Sequence, residues 1–237
     1  MPKQITHPLG TFRVWPDSIG RALEAGDFWD DQIRPILDEA DPTGWAIDLG
    51  ANIGFHTVYL ARRFRHVIAV EAHPATYRLL CENITLNGLW AQVSTYCLAA
   101  YDHRTTLALA TGPLITWDQP HEMDLDQTSS AGSVAFVPHA LTEGRLRVPA
   151  GPIDPLVHAN TVVSLIKTDV QGCDLRALKG LQRTIHRDRP LIVFEYEANL
   201  SQHHQDTWDQ YLHFFTAMGY TVTLLREGLW DYVARPQ

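Results

Sequence analysis

From residue 44 onward, short apolar runs alternate with longer segments in which apolar residues recur every three or four positions. The runs at 45–49, 66–71, 92–98, 161–168 and 190–196 consist mostly of apolar and β-branched residues, as is typical of strands. The intervening segments predict a helix after Gly54, a helix opening at Pro74 and a helix over 174–185. This alternation predicts a doubly wound α/β fold, a parallel sheet covered by helices on both faces. Its ligand is expected at the carboxyl ends of the strands.

The two terminal segments and one internal segment depart from this alternation. The first 43 residues predict a helical cap with short helices at 17–26 and 28–39, ahead of a main domain at 44–237. Residues 102–152 are less regular and predict an insertion before the fourth strand, in which 134–137 and 145–148 are suited to pair as a hairpin. A last helix ending at Gly219 is followed by apolar runs at 220–225 and 230–234. These runs predict a closing hairpin that adds one antiparallel strand at the sheet edge.

The composition narrows the class of protein. The chain has 237 residues, with 19 Lys and Arg against 27 Asp and Glu, so its net charge is −8. This balance argues against a general nucleic-acid binder or an anionic-membrane binder, because both need clustered basic residues. Three dispersed cysteines and an N-terminus without an apolar segment predict a cytoplasmic protein. The 12 histidines form neither an HExxH nor a CxxC–HxxxH spacing, so no metal site is expected.

The most informative motif lies where the first strand of the main domain passes into its first helix, and reads Asp-Leu-Gly-Ala-Asn-Ile-Gly at 48–54. Gly50 permits a tight turn, and Gly54 permits close approach of the helix to the strand or to a ligand. The free N–H groups at the start of the helix suit an anionic group such as a carboxylate or phosphate. Glu71 ends the next strand, 23 residues after Asp48 (71 − 48), where a carboxylate can accept hydrogen bonds from both hydroxyls of a ribose.

This arrangement fits two classes of nucleoside cofactor. A dinucleotide-binding turn has the spacing Gly-x-Gly-x-x-Gly, whereas three residues separate the two glycines here. Asp48 would also place a negative charge close to a pyrophosphate. S-adenosylmethionine fits better, because its ammonium and sulfonium groups tolerate a nearby carboxylate while its ribose still needs Glu71. A nicotinamide-dependent oxidoreductase and a cofactor-binding module without catalysis stay open as alternatives.

Four longer strings extend this motif and resemble one known family. The strings AIDLGANIGFHTVYLARRF, VIAVEAHPATYRLLCENITLNG, LIKTDVQGCDLRALKGL and PLIVFEYE are similar, in order and spacing, to the FkbM-type S-adenosylmethionine-dependent methyltransferases. The resemblance covers about residues 44–200. It implies a seven-stranded, Rossmann-like class I methyltransferase sheet with S-adenosylmethionine as the cofactor. It also implies O-methylation, because the family is mostly associated with small natural products and glycans.

The resemblance assigns particular residues to the cofactor. It places Asp48, Gly50, Asn52 and Gly54 along the methionine half, Glu71 at the ribose, and Asp169 opposite the sulfonium and the substrate. The further cofactor residues that it implies are Ala51 and Phe55 in the first turn, Ala72, Ala99 and Ala100 around the adenine, and Ser133 in a loop at 128–133. This chain departs from the family where Ala72 and His73 separate Glu71 from Pro74. It departs again at Gln171 and Asp174, where Glu is common, and this argues against a catalytic role for position 171.

Methyl transfer to a hydroxyl needs a group that accepts the hydroxyl proton. The candidate bases are Asp169 and Glu195 at strand ends, Lys167 if its pKa is lowered, and His121 or His139 in the irregular segment. The expected reaction is O-methylation of a small metabolite, natural product or sugar without a metal. Methylation of an aliphatic amine is the nearest alternative. A small-molecule methyl acceptor is the expected partner, neither a nucleic acid nor a membrane is expected, and the sequence does not predict the oligomeric state.

Overall fold

The computed structural model describes residues 1–109, 136–137, 146–201, 204–227 and 230–237. The strands are β1 (Lys3–His7), β2 (Gly10–Val14), β3 (Trp45–Leu49), β4 (His66–Glu71), β5 (Val93–Cys97), β6 (Ala99–Ala100), β7 (Thr105–Leu109), β8 (Phe136–Val137), β9 (Leu146–Gly151), β10 (Val163–Thr168), β11 (Leu191–Glu195), β12 (Tyr220–Leu224) and β13 (Asp231–Pro236). The helices are α1 (Ser18–Ala25), α2 (Arg34–Glu39), α3 (Phe55–Ala61), α4 (Pro74–Leu86), α5 (Asp174–Lys179), α6 (Gln182–Asp188), α7 (Ala198–Ser201) and α8 (Trp208–Ala217). Short 3-10 helices lie at Asp31–Ile33 and Asp154–Leu156.

The main sheet has seven strands in the order β12-β13-β11-β10-β3-β4-β5. The central strands pair in parallel, and β13 runs antiparallel to both β11 and β12. The doubly wound α/β fold predicted from the sequence is confirmed. The predicted position of the antiparallel strand at the edge is wrong. The crossover through α8 places β12 at the edge of the sheet, two strand positions from β11, and β13 turns back to pair between them.

Both faces of the sheet are covered because successive side chains of a strand point to opposite faces. Ile47 and Leu49 of β3 belong to one apolar core, together with residues of α5, α6 and α8. Ala46 of the same strand belongs to a second core, together with residues of α3, α4 and the N-terminal segment. Asp48 shares the face of Ala46 and is fully buried, so a carboxyl group lies within an otherwise apolar strand.

The N-terminal segment is only partly helical. Its helices α1 and α2 lie near the predicted positions, but β1 and β2 form an antiparallel hairpin that the prediction of a helical cap missed. Alternate side chains of the hairpin are buried, and α4 holds it in place. Asn83 of α4 accepts a hydrogen bond from the Arg13 N–H at 2.6 Å and donates one to the Arg13 carbonyl oxygen at 3.0 Å. The domain boundary between residues 43 and 44 stays a prediction.

The described strands of the insertion join β6, which precedes it, in a second sheet in the order β6-β9-β7-β8. The hairpin predicted between 134–137 and 145–148 is wrong, because β7 lies between β8 and β9 and pairs antiparallel with both. The single helix predicted over 174–185 is two helices, α5 and α6. The chain bends at Gly180, where a Cβ would overlap the carbonyl oxygen of Tyr101. Within the described residues, no helix has both the length and the apolar character to span a membrane.

Candidate functional site

The turn between β3 and α3 packs closely against two neighbouring segments. Gly50 has a φ of +72°, and a Cβ there would overlap the carbonyl oxygen of Asp169, which follows β10. Gly54 has a φ of +87°, and a Cβ there would lie 2.5 Å from Leu80 of α4. Both positions therefore need glycine for two reasons, the left-handed backbone and the close approach of another segment.

Glu71 at the end of β4 is tied to the same turn. Its Oε2 accepts a hydrogen bond from the Asn52 N–H at 2.9 Å, and its Oε1 accepts one from the His73 N–H at 2.8 Å. Burial raises the pKa of Glu71 to about 7, although the two N–H donors act in the opposite direction. Each oxygen of a carboxylate has two lone pairs, so both Glu71 oxygens can accept a further hydrogen bond from a ligand.

Lys167 of β10 is buried between two acidic side chains. Its Nζ lies 3.3 Å from Asp48 Oδ1 and 4.0 Å from Asp169 Oδ2, and it donates to the Gly50 carbonyl oxygen at 3.4 Å. The other Asp48 oxygen accepts a hydrogen bond from the Thr57 hydroxyl at 2.6 Å. Burial lowers the pKa of Lys167, but the charges of Asp48 and Asp169 outweigh burial and the pKa lies above its ordinary value. Lys167 is therefore a protonated ion-pair partner. A lysine that acts as a base needs a lowered pKa, and the pKa of Lys167 is raised instead.

Gln171 joins two acidic residues at the ends of the neighbouring strands β10 and β11. Its Nε2 donates hydrogen bonds to Asp169 Oδ1 at 2.9 Å and to Glu195 Oε2 at 3.2 Å. Burial and the charge of Asp169 hold the pKa of Glu195 well above its ordinary value, so this carboxyl group keeps a proton at a pH where exposed glutamates have lost theirs. The amide at position 171, a departure from the family, is thus a neutral bridge between two carboxyl groups.

Three polar residues that the sequence did not single out lie at the same end of the sheet, where the parallel strands have their carboxyl ends. Asp231 begins β13 and is in register with Glu195. Asp30 and Gln32 belong to the N-terminal segment, and Gln32 Nε2 donates to Asp231 Oδ2 at 3.0 Å. Burial and then the charge of Asp169 raise the pKa of Asp30 to about 7. The position of Asp231 could have been predicted from the hairpin, because an antiparallel strand begins where its neighbour ends. No sequence pattern marks Asp30.

The remaining predicted site residues fall into three groups. Ala51, Ala99 and Ala100 are buried and Ala72 is half-buried, with Ala99 and Ala100 forming β6 directly after β5. Phe55 directs its ring into the second core, where its centroid lies 5.0 Å from that of Phe28. His121, His139 and Ser133 lie outside the described residues. Among the residues that are described, no three His, Cys, Asp or Glu side chains are grouped to hold a metal ion.

Comparison with known proteins connects this geometry to a family. Residues 48–222 match the methyltransferase FkbM domain. The hexuronic acid methyltransferase AglP of Haloferax volcanii is 27% identical over 174 residues, which are 69% of this chain and 60% of that protein. Methyltransferase 1 of Beauveria bassiana is 26% identical over 161 residues, which are 63% of this chain and 61% of that protein. The chain therefore spans about three fifths of the length of these curated relatives.

A solved structure shares the fold. The FkbM methyltransferase of Methylobacillus flagellatus KT matches with a TM-score of 0.50 and 15% identity, over 82% of this chain and 44% of that one. The match to the family runs from Asp48 in β3 to β12, and so includes Glu71, Lys167, Asp169 and Glu195. It favours S-adenosylmethionine over the nicotinamide cofactor that the sequence left open. The chain belongs to the FkbM methyltransferase family, whose cosubstrate is S-adenosylmethionine.

Proposed function

We propose that this chain transfers the methyl group of S-adenosylmethionine to a hydroxyl group of a small metabolite, natural product or sugar. The observation that carries the proposal is the connection between Glu71 and the β3–α3 turn. Both carboxylate oxygens of Glu71 are oriented by backbone N–H groups, one of them from Asn52 within that turn. A carboxylate fixed in this way at the end of β4 fits the two hydroxyls of a ribose.

The other residues at the edge fit the remaining parts of the cofactor. In the proposed arrangement, the turn from Gly50 to Gly54 follows the methionine half, and Ala72, Ala99 and Ala100 flank the adenine. Asp169 faces the sulfonium, where a carboxylate stabilises positive charge. The ion pair of Lys167 with Asp48 supports the turn, because Lys167 also donates a hydrogen bond to the Gly50 carbonyl oxygen. When bound, S-adenosylmethionine supplies an electrophilic methyl group on a good leaving group.

The chain itself must orient the acceptor in line with the methyl group, exclude water and take up a proton. Of the five candidate bases expected from the sequence, Lys167 is a protonated ion-pair partner, and the raised pKa of Glu195 disfavours the ionised form that a base needs. His121 and His139 lie outside the described residues. Asp169 accepts a hydrogen bond from Gln171 and lies 4.0 Å from the Lys167 ammonium. These contacts suit a carboxylate that holds a cationic ligand in position.

The charge at the carboxyl ends of the parallel strands bears on the class of acceptor. The carboxyl groups of Asp30, Asp169 and Asp231 give this end of the sheet negative charge. Glu195 adds less because its pKa is raised, and the compensating Lys167 is only 4% exposed. The hydroxyls of a neutral compound can donate hydrogen bonds to these groups, but a uronic acid would bring a like charge close to them. The AglP relative supports a sugar as acceptor, and the charge supports a neutral one. An aliphatic amine is the rival, because an ammonium group is also attracted to carboxylates.

Incubation with tritiated S-adenosylmethionine at pH 7.5 tests the proposal with three sets of acceptors: neutral sugars, uronic acids and aliphatic amines. We expect the neutral sugars to be labelled at the highest rate. Faster labelling of uronic acids would contradict the charge argument, and labelling of amines alone would replace O-methylation by N-methylation. Isothermal titration with S-adenosylhomocysteine and with NADH tests the cofactor. Binding of NADH alone would overturn the proposed function.

A further inference from the structure

The N-terminal segment at 28–33 lies at the carboxyl ends of the parallel strands and is held by hydrogen bonds to two different elements, α3 and β13. On one side, His56 of α3 lies 3.0 Å through its Nε2 from the Trp29 carbonyl oxygen. Burial lowers the pKa of His56 to about 4, so the ring is neutral, and Nε2 carries the hydrogen because a carbonyl oxygen only accepts. On the other side, Gln32 donates to Asp231 at 3.0 Å. Asp30 lies between these two anchors and is therefore held in a fixed position.

The backbone of Asp30 is unusual for a residue that precedes a helix. Its φ of 55° and ψ of 47° lie in the left-handed region, directly before a 3-10 helix. An aspartate at such a position commonly caps the free N–H groups of the helix, but the Asp30 side chain makes no capping hydrogen bond. The charged groups that act on its carboxyl group are Asp169 and Lys167, from β10 and the turn after it, and Asp231 from β13, and Gln32 is its hydrogen-bond partner.

We propose that Asp30 is the general base that takes the proton of the acceptor hydroxyl, an inference that rests on the methyl transfer proposed above. In this step the acceptor oxygen forms a bond to the methyl carbon while the carbon–sulfur bond breaks. The electron pair of the broken bond stays on the sulfur, which becomes a neutral thioether. The hydroxyl proton passes to a carboxylate oxygen of Asp30 and then to solvent.

The neighbouring groups leave this role to Asp30. Lys167 is a protonated ion-pair partner, and the raised pKa of Glu195 disfavours the ionised form that a base needs. Asp169 is engaged by Gln171 and by the Lys167 ammonium. A general base is most efficient when its pKa lies close to the working pH, and the pKa of Asp30 is about 7. A left-handed backbone at a non-glycine residue also occurs more often at functional sites than elsewhere.

Kinetics of Asp30→Asn test the proposal with the acceptor that the panel identifies. Asn adopts the left-handed backbone readily, so the variant is expected to keep the fold and its affinity for S-adenosylhomocysteine. We expect kcat to fall at least about 100-fold, with partial recovery in Asp30→Glu. Asp31→Asn is the matched control, because it removes a neighbouring carboxylate whose side chain is 74% exposed, and it should keep the wild-type kcat. A kcat of Asp30→Asn within about threefold of the wild type would overturn the proposal.

A second measurement needs no acceptor. A sulfonium close to Asp30 lowers the pKa of its carboxyl group, so binding of S-adenosylmethionine at pH 7 should release up to about half a proton. Neutral S-adenosylhomocysteine should release less. Isothermal titration in two buffers of different ionisation enthalpy measures this difference between the ligands, which should disappear in Asp30→Asn and persist in Asp31→Asn.

Together, the kinetics and the proton release distinguish an error in the role of Asp30 from an error in the proposed class of acceptor. An equal difference in proton release for the wild type and Asp30→Asn would show that Asp30 does not face the reacting group, and the proposal would fail. If the difference disappears but only amines are methylated, the proposed acceptor class is wrong while the position of Asp30 beside the reacting group is supported. In that case the proton that Asp30 takes comes from an ammonium group instead of a hydroxyl.

Discussion

Gln171→Glu replaces the amide that bridges two carboxyl groups by a third carboxyl group. The Nε2 atom that donates to Asp169 and Glu195 becomes an oxygen that cannot donate while the side chain is ionised, at 2.9 Å and 3.2 Å from their oxygens. Two unit charges about 3 Å apart repel by about 6 kcal/mol at an effective dielectric constant of about 20. This repulsion exceeds the cost of protonating a glutamate near neutral pH, so the new side chain is expected to take up a proton.

The cost of that proton sets the size of the effect. Keeping a glutamate with an ordinary pKa of about 4.3 protonated costs about 1.4 kcal/mol for each pH unit above that value. The cost is therefore about 4 kcal/mol at pH 7.5 and about 1.6 kcal/mol at pH 5.5. We expect Gln171→Glu to lose up to about 4 kcal/mol of unfolding free energy at pH 7.5 and to recover most of this loss at pH 5.5.

Urea unfolding followed by tryptophan fluorescence at the two pH values measures the free energy of unfolding. Gln4→Glu is the matched control, because Gln4 is exposed on β1 and its substitution should change the stability by less than about 0.5 kcal/mol at either pH. A loss of the same size at both pH values, or no loss at pH 7.5, would refute the position of Gln171 between two carboxyl groups.

Three further substitutions probe the cofactor turn and a buried acid. Glu71→Gln removes one oxygen that accepts a backbone N–H, so S-adenosylhomocysteine affinity measured by isothermal titration should fall about 10- to 100-fold, and an unchanged affinity would contradict the ribose assignment. Gly54→Ala places a Cβ 2.5 Å from Leu80, whereas Gly88→Ala, also at a left-handed φ, meets no atom within 4 Å. Urea unfolding should therefore show a loss larger by about 1–3 kcal/mol for Gly54→Ala, and equal losses would argue against the steric reason. Burial raises the pKa of Asp174 from 3.8 to about 7, so its protonated form stabilises the fold below pH 4 and this contribution is lost as the pH rises to 7. Between these pH values the wild type should lose up to about 4 kcal/mol relative to Asp174→Asn, and a constant difference in unfolding free energy would count against the raised pKa.

The parallel sheet was predictable because its strands are buried on both faces and therefore read as apolar runs. The hairpin at 3–14 and the strand β7 were not, since short strands with one exposed face give only a weak alternation of apolar and polar residues. Their pairing also depends on distant partners. Asn83, 70 positions from Arg13, holds the hairpin, and nothing in the local sequence of β1 and β2 indicates this contact.

The cofactor side of the site was predictable because the spacing from Asp48 to Glu71 is local and follows from one strand–helix–strand unit. The protonation of Lys167 was not predictable, because it depends on an ion pair with Asp48 on the neighbouring strand β3. Asp30 was missed for a similar reason. Its place at the edge results from contacts that fix the N-terminal segment on α3 and β13, and these form only in the folded chain.

The hydrogen bond between Gln32 and Asp231 joins segments that lie 199 positions apart. The turn after β3 and Glu71, by contrast, come from one continuous stretch, residues 50–71. In the proposed site, the methyl donor and the methyl acceptor are therefore recognised by separately encoded parts of one polypeptide. Substitutions in the N-terminal and C-terminal segments that keep Asp30 can change which molecule is methylated while the donor side is inherited intact. New acceptor specificities can then arise without a loss of the underlying chemistry.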